Sequence, residues 1–280
     1  MDLKEIAQSF VSARREARAL SDYPGQIPSR LSDSYAIQEA AIDLWGRPII
    51  GWKIGRLAPE RQAEHGTERL AGPIFETVLK SANAQVEVPV FDGGFAAVEA
   101  EFVFRIGRDA DPAKTDYSEA EALTLIDAMF AGVEMAGSPL ATINKLGPTV
   151  VASDFGNNFG LILGPQLAAF NKDSGPDLLT AEGVKAYRAR TELDGGVIGE
   201  GGLFTMPGGP LKAIAWLAGH LAARGRPLKQ GQLISSGATT GIHDVSAGQS
   251  AIITYGGPHH EEVQITLRTV TLTAARPEVA

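Results

Sequence analysis

In the stretch Val98-Glu99-Ala100-Glu101-Phe102-Val103-Phe104-Arg105-Ile106, apolar Val98, Ala100, Phe102, Phe104 and Ile106 alternate with a second set that includes Glu99, Glu101 and Arg105. A period of two is that of a β-strand, which sends one set to a core and the other to the opposite sheet face. From about Val86 onward the same pattern prevails. Gln232–Ser236, Ser250–Tyr255 and Val263–Val270 read as strands, the last setting Val263, Ile265 and Leu267 against Gln264, Thr266 and Arg268. Asp194-Gly195 marks a hairpin, because that dipeptide tolerates the positive φ angles of a tight turn. Helices interrupt the strands twice. Ser118-Glu119-Ala120-Glu121 has the form of a capping box and predicts a helix running towards Phe130 and into Gly132-Val133-Glu134-Met135. Pro210 opens a second one, with Leu211, Ile214, Ala215, Ala218 and Leu221 on its apolar face, stopped by Gly225 and Pro227.

Upstream, Leu3, Ile6, Ala7, Phe10 and Val11 recur at helical spacing, and Tyr35, Ala36, Ala40, Ala41 and Leu44 follow a similar pattern before Gly46 and Pro48. Ile49-Ile50-Gly51-Trp52-Lys53-Ile54-Gly55 then reads as a short strand from which Lys53 projects. The chain has no internal repeat and no Gly/Ser linker. With strands dominant and helices few after Val86, the expected class is a β-rich α+β fold with a largely antiparallel or mixed sheet. A helical N-terminal portion is expected over 1–80, a β-rich domain over 81–273 and a frayed tail over 274–280.

Composition narrows the chemistry. The 280 residues carry 25 Lys+Arg against 33 Asp+Glu, a formal net charge of −8, which disfavours a nucleic-acid partner. The absence of cysteine excludes disulfides, a Cys nucleophile, Cys-ligated zinc and iron–sulfur clusters, so any metal needs oxygen or imidazole ligands. No apolar run approaches a membrane span and no secretory leader is visible, so no membrane partner and a cytoplasmic location are expected. G-x-G-x-x-G, Walker, G-x-S-x-G and H-E-x-x-H signatures are absent.

Glu99 and Glu101, on one face of one strand, have Cα atoms roughly 6–7 Å apart. Their carboxylates can converge on one divalent cation, and Mg²⁺ or Mn²⁺ suits such oxygen ligands. Glu134, the lone acid of a small apolar run, is the candidate third ligand. The alternative is that Glu99 and Glu101 line a solvated sheet face. Lys53, among apolar neighbours, has its charged form disfavoured and so becomes a candidate proton donor or acceptor near neutral pH, or else a surface lysine. The Ser/Thr/Gly run over 235–241 can present hydroxyls and backbone N–H groups to an anion, or form an ordinary turn. His243 and Asp244 after it offer an acid/base pair or a hydrogen-bonded loop; His259-His260 reads as a solvated turn, and His65 and His220 stand isolated.

Taken in order, Gly51-Trp52-Lys53-Ile54-Gly55, the Glu99-x-Glu101 strand, a lone Glu134, and Pro210–Ala218 before a Ser-Gly loop resemble the 2-keto-4-pentenoate hydratase and oxalocrotonate decarboxylase family, within the fumarylacetoacetate hydrolase superfamily. The resemblance implies a mixed β-sandwich or roll with a helical N-terminal part. It also implies a divalent cation, Mg²⁺ or Mn²⁺, on Glu99, Glu101 and Glu134, and a small 2-oxo- or 2-hydroxy-enoate chelated there. Lys53, assisted by Glu76, is then the acid/base group, with Asp154, Phe155, Ser236 and Thr240 shaping the substrate pocket. The chain departs from the family at Thr77, Phe155, Asn157 and Ala238. The implied activity is a hydro-lyase adding water to a 2-hydroxy-2,4-dienoate in aromatic-compound catabolism. Alternatives are a 2-oxo-enedioate decarboxylase, an acylpyruvate C–C hydrolase and a non-catalytic ketoacid-binding protein. Homo-oligomerisation is expected from the same resemblance.

Overall fold

A computed structural model describes residues 2–170, 177–258 and 260–273; His259 and the tail expected over 274–280 lie outside them. The chain opens with α1 (Leu3–Arg15) and α2 (Leu31–Trp45). α1 buries Ile6, Ala7, Phe10 and Val11, the stripe its spacing specifies. α2 stops at left-handed Gly46, but its buried stripe is Ser34, Ile37, Gln38, Ala41 and Ile42, with Ala36 and Leu44 left exposed. The polar Gln38 belongs inside because its amide donates to the carbonyls of Ala71 and Ala152.

There follow β1 (Ile49–Arg56), α3 (Pro59–His65), β2 (Arg69–Phe75), β3 (Leu79–Ser81), β4 (Val86–Val90), β5 (Phe95–Ile106) and α4 (Glu119–Leu123). The middle of the chain forms β6 (Ile126–Ser138), α5 (Ile143–Leu146), α6 (Pro148–Ser153), β7 (Asn158–Ala169), α7 (Ala181–Lys185), β8 (Arg188–Leu193) and β9 (Gly196–Gly202). α8 (Gly209–Ala223), β10 (Leu233–Ser235), β11 (Ile242–Asp244), β12 (Ser250–Gly257) and β13 (His260–Thr271) complete it. One sheet runs β2-β1-β10-β5-β6-β7-β3, with β11 also paired to β5; the other runs β4-β13-β12-β8-β9. Three neighbour pairs are parallel, β1–β10, β3–β7 and β4–β13, and the rest antiparallel, so the mixed α+β expectation holds.

β5 lies deep in the larger sheet and is buried on both faces. Phe102 packs edge-on against Tyr187 and Tyr255 at the second sheet, while Val103 on its other face joins Ile74, Leu161 and Leu233. The solvated-face reading of Glu99 and Glu101 is thereby excluded, since both are buried. Two further expectations are corrected. The helix capped by Ser118 ends at Leu123, and the residues expected to prolong it form β6, because that run hydrogen-bonds to β5 on one side and β7 on the other. The boundary expected at residue 80 falls inside β3, and β1 to β3 belong to the larger sheet, so residues 49–81 are part of the β-rich body.

Candidate metal centre and substrate cavity

The ladder between β5 and β6 sets Glu99 directly opposite Glu134 and Glu101 opposite Gly132. Like charges opposed across strands repel, yet these three carboxylates converge, with one oxygen of each within 4.8 Å of the others. Glu101 is held by the Ser235 hydroxyl (2.5 Å) and the Gly237 N–H (2.9 Å), both donating to Oε2. Its backbone is clipped by Tyr255, whose hydroxyl accepts from the Glu101 N–H and donates to the Gly132 carbonyl. Glu134 Oε1 accepts from Asn158 Nδ2 (3.0 Å) and lies 3.3 Å from Lys53 Nζ.

What remains points inward. Glu99 Oε1, Glu101 Oε1 and Glu134 Oε2 are buried without a partner, and each such acceptor costs on the order of 1–3 kcal/mol. Burial, then the Glu134 charge, pushes the Glu99 carboxyl up to about 8 against the pull of Lys53. Burial, followed by Glu134 and Glu99, holds Glu101 well above the usual carboxylate range. A divalent cation answers both the orphaned oxygens and the repulsion, and an all-oxygen donor set of this kind fits Mg²⁺ or Mn²⁺.

Lys53 is buried beside this trio. Desolvation pulls its ammonium down, but the charges of Glu134, Glu99 and Glu101 outweigh it and hold Lys53 above its ordinary value. The sequence expectation of a lysine with a disfavoured charge is therefore corrected: its apolar neighbours are real, and three acids on β5 and β6 override them. Nζ donates to Asn157 Oδ1 (3.2 Å), and Asn157 Nδ2 donates to Asn144 Oδ1 (3.1 Å). Phe155, Gly156 and Asn157 all adopt left-handed φ in the turn that brings Asn157 there. That turn lies on Gly72, the residue across β2 from Lys53, where a Cβ would stand 1.9 Å from the Phe155 carbonyl oxygen.

A cavity of about 580 Å³ opens over Lys53, Glu99, Asn157, Ser236 and Met206. Ser236 is thus where the sequence put it, although its hydroxyl donates to the Phe102 carbonyl (2.7 Å). Four other expected site residues are not brought to the cavity wall. Glu76 is exposed just beyond the end of β2. Asp154 is engaged by Arg14 Nε and by the Ser138 hydroxyl, both at 2.6 Å, and serves to lock α1 onto the body. Phe155 packs on Phe75 and Trp45. Thr240 shares a hydrogen bond with Thr191 and contacts His243 Nε2, and neither His243 nor Asp244 is among the residues that line the cavity. The sequence does not single out Asn157, Asn158, Ser235 and Tyr255 as site residues, although Asn157 marks a departure from the family it resembles and Ser235 lies in the 235–241 run. Ser235, within the Ser-Ser-Gly run, carried a signal that pointed at its neighbour; the others become informative only once β6, β7 and β12 are assembled.

The chain has relatives in sequence and in fold. A 2-keto-4-pentenoate hydratase of Paraburkholderia xenovorans is 27% identical over 241 residues, 84% of each chain, and a TodF product hydratase of Pseudomonas putida is 27% identical over 222 residues, 78% of each. No family model matches the chain. Among solved structures, 4-oxalocrotonate decarboxylase from Pseudomonas putida G7, in complex with magnesium and adipate, superposes with a TM-score of 0.74 at 20% identity, covering 96% of this chain and 97% of that one. Fumarylpyruvate hydrolase from Pseudomonas aeruginosa, in complex with Mn²⁺ and pyruvate, gives 0.52 at 14% identity, covering 81% and 91%. In sequence the chain is similar to 2-keto-4-pentenoate hydratases, and in fold it is similar to 4-oxalocrotonate decarboxylase and, more distantly, to fumarylpyruvate hydrolase.

Proposed function

We propose that the protein is a metal-dependent hydro-lyase that adds water to a 2-hydroxy-2,4-dienoate or related 2-oxo-enoate. The observation that carries this reading is the set of three orphaned carboxylate oxygens converging beside a buried lysine at a cavity of small-molecule size. Glu99, Glu101 and Glu134 would hold Mg²⁺ or Mn²⁺, which when bound polarises the carboxylate and adjacent 2-oxygen of such an acid. Lys53 Nζ, fixed by Glu134 and Asn157, holds the proton that the substrate takes up. Ser235 and Gly237 keep Glu101 in place, and Ile54, Leu57 and Met206 line the cavity with apolar surface for the hydrocarbon part of the substrate. Similarity to relatives named 2-keto-4-pentenoate hydratase supports water addition.

The same site serves a second reading, decarboxylation of a 2-oxo-enedioate, favoured by the cationic side chains around the cavity. Homo-oligomerisation in the cytoplasm belongs to the proposal, with exposed Val197, Ile198, Phe204 and Ile242 as the apolar surface a second copy would cover; the solution mass tests it. Turnover of 2-hydroxy-dienoates and 2-oxo-enedioates, followed in the ultraviolet with Mg²⁺, Mn²⁺ or chelator and by product mass, separates the activities. Metal-dependent gain of water is expected; release of carbon dioxide selects the second reading, and silence across the panel overturns both.

A further inference from the structure

Arg56, the last residue of β1, stands directly opposite Arg69, the first of β2. Like charges so opposed destabilise a strand pair, and Arg69 is buried as well. Desolvation lowers its guanidinium below the ordinary value against the support of Glu68, and the Arg56 charge adds to the lowering. Glu68 pairs with Arg69 at 3.0 Å, but it also serves Lys212 at 3.3 Å. The other arm of Arg69 donates to the carbonyl of Pro207 (3.0 Å), a residue of the cavity wall. The Arg56 side chain has no ion-pair or hydrogen-bond partner among the described residues.

Both arginines line the cavity, as do Arg61 and Lys145, and the carboxylates on that wall are Glu60 and Glu99, the second committed to the trio. Folding alone gives no reason to oppose two arginines there; an anion between them does. Arg56 lies three residues beyond Lys53, roughly 10 Å along the strand, so the two arginines stand away from the acidic end.

We propose that Arg56 and Arg69 form a second anion subsite, which takes the distal carboxylate of a dianionic 2-oxo acid and makes the protein prefer it to the monoacid of equal length. The proposal rests on the reading of the cavity as a 2-oxo acid site, and it holds for hydration and decarboxylation alike. The name of the hydratase relatives, by contrast, denotes a substrate with one carboxylate.

The test is calorimetric binding of 2-oxoadipate and 2-oxohexanoate, which differ only in the distal carboxylate, to the full chain with Mg²⁺. The dianion should bind about ten- to a hundredfold more tightly, the value of charged hydrogen bonds to one carboxylate. Arg56→Gln, at an exposed position, should bring the ratio of the two affinities close to one. Equal affinities in the unaltered protein, or a ratio unmoved by Arg56→Gln, overturns the subsite. Turnover of a monoacid dienoate with no dianion preference would remove the subsite and keep the hydro-lyase. A preference abolished by Arg56→Gln in a protein that turns over no dienoate would do the reverse.

Discussion

Glu101 answers to two demands: Oε2 is fully engaged by Ser235 and Gly237, while Oε1 is buried with nothing to accept from. Glu101→Gln keeps the shape and removes a buried charge. It should lower metal-dependent turnover by at least about a hundredfold and abolish the rise in melting temperature on adding Mg²⁺, while the chelated protein melts no lower than the parent. Steady-state kinetics and melts with and without metal check this, and full activity in the variant would remove Glu101 from the site. Lys53 is coupled to the same charges with the opposite sign. Its ammonium, 3.3 Å from Glu134, competes with a cation for the trio. Lys53→Met should therefore tighten Mg²⁺ binding, read by titration calorimetry, even as turnover is lost. Weaker Mg²⁺ binding would show that Lys53 orders the ligands instead.

At the scale of elements, the register between β5 and β6 brings Glu99 and Glu134 together, and the turn between α6 and β7 delivers Asn157 to Lys53. That turn is anchored from the other end of the chain. Arg14 on α1 pairs with buried Asp154 and also donates to the carbonyls of Gly137 and Asn158, on β6 and β7. Arg14→Met leaves the Asp154 charge buried and uncompensated, a loss of about 3–5 kcal/mol, to be read from urea unfolding. Arg14→Met with Asp154→Leu should recover part of that stability; if the double variant is no better than the single one, the ion pair is not the source of the loss. The Asp154 motif was legible in the sequence as a feature with a purpose, but its partner lies 140 residues away in sequence, beyond the reach of local pattern.

For the molecule as a whole, acid stability is set in part by His220 of α8. It stacks on Trp216 with centroids 4.7 Å apart, faces Tyr35 of α2, and carries the Arg224 charge one helical turn on. Burial, then Arg224, pushes its imidazole down to about 3. An unfolded chain protonates this histidine near pH 6.5 while the folded protein resists, so its contribution is fully present above about 6.5 and is lost as pH falls towards 3. At pH 5 that loss is about 2 kcal/mol relative to pH 7. Unfolding free energies of parent and His220→Phe, compared at the two pH values, should show a smaller drop in the variant; equal drops would place the acid sensitivity elsewhere.

The alternation from Val98 to Ile106 specified β5, the helical spacing of Leu3 to Val11 specified α1, and Asp194-Gly195 specified the β8–β9 turn, with φ of 48° and 83°. Each is a local preference of backbone and side-chain period, so each survives without knowledge of the rest. Pairing decided what period could not. The residues beyond Leu123 became strand because two ladders hydrogen-bond them, and Gln38 went inward because two distant carbonyls needed its amide. Of the site, the sequence by itself determined the residue types, three glutamates and a lysine, along with the family they resemble. Only the tertiary structure decided that all four are buried together, that Asp154, Phe155 and Thr240 make their contacts away from the cavity wall while Glu76 lies exposed, and that Arg56 opposes Arg69 on the cavity wall. The physical reason is that charge and burial depend on distance in space, which strand register and loop packing set, and not on separation along the chain.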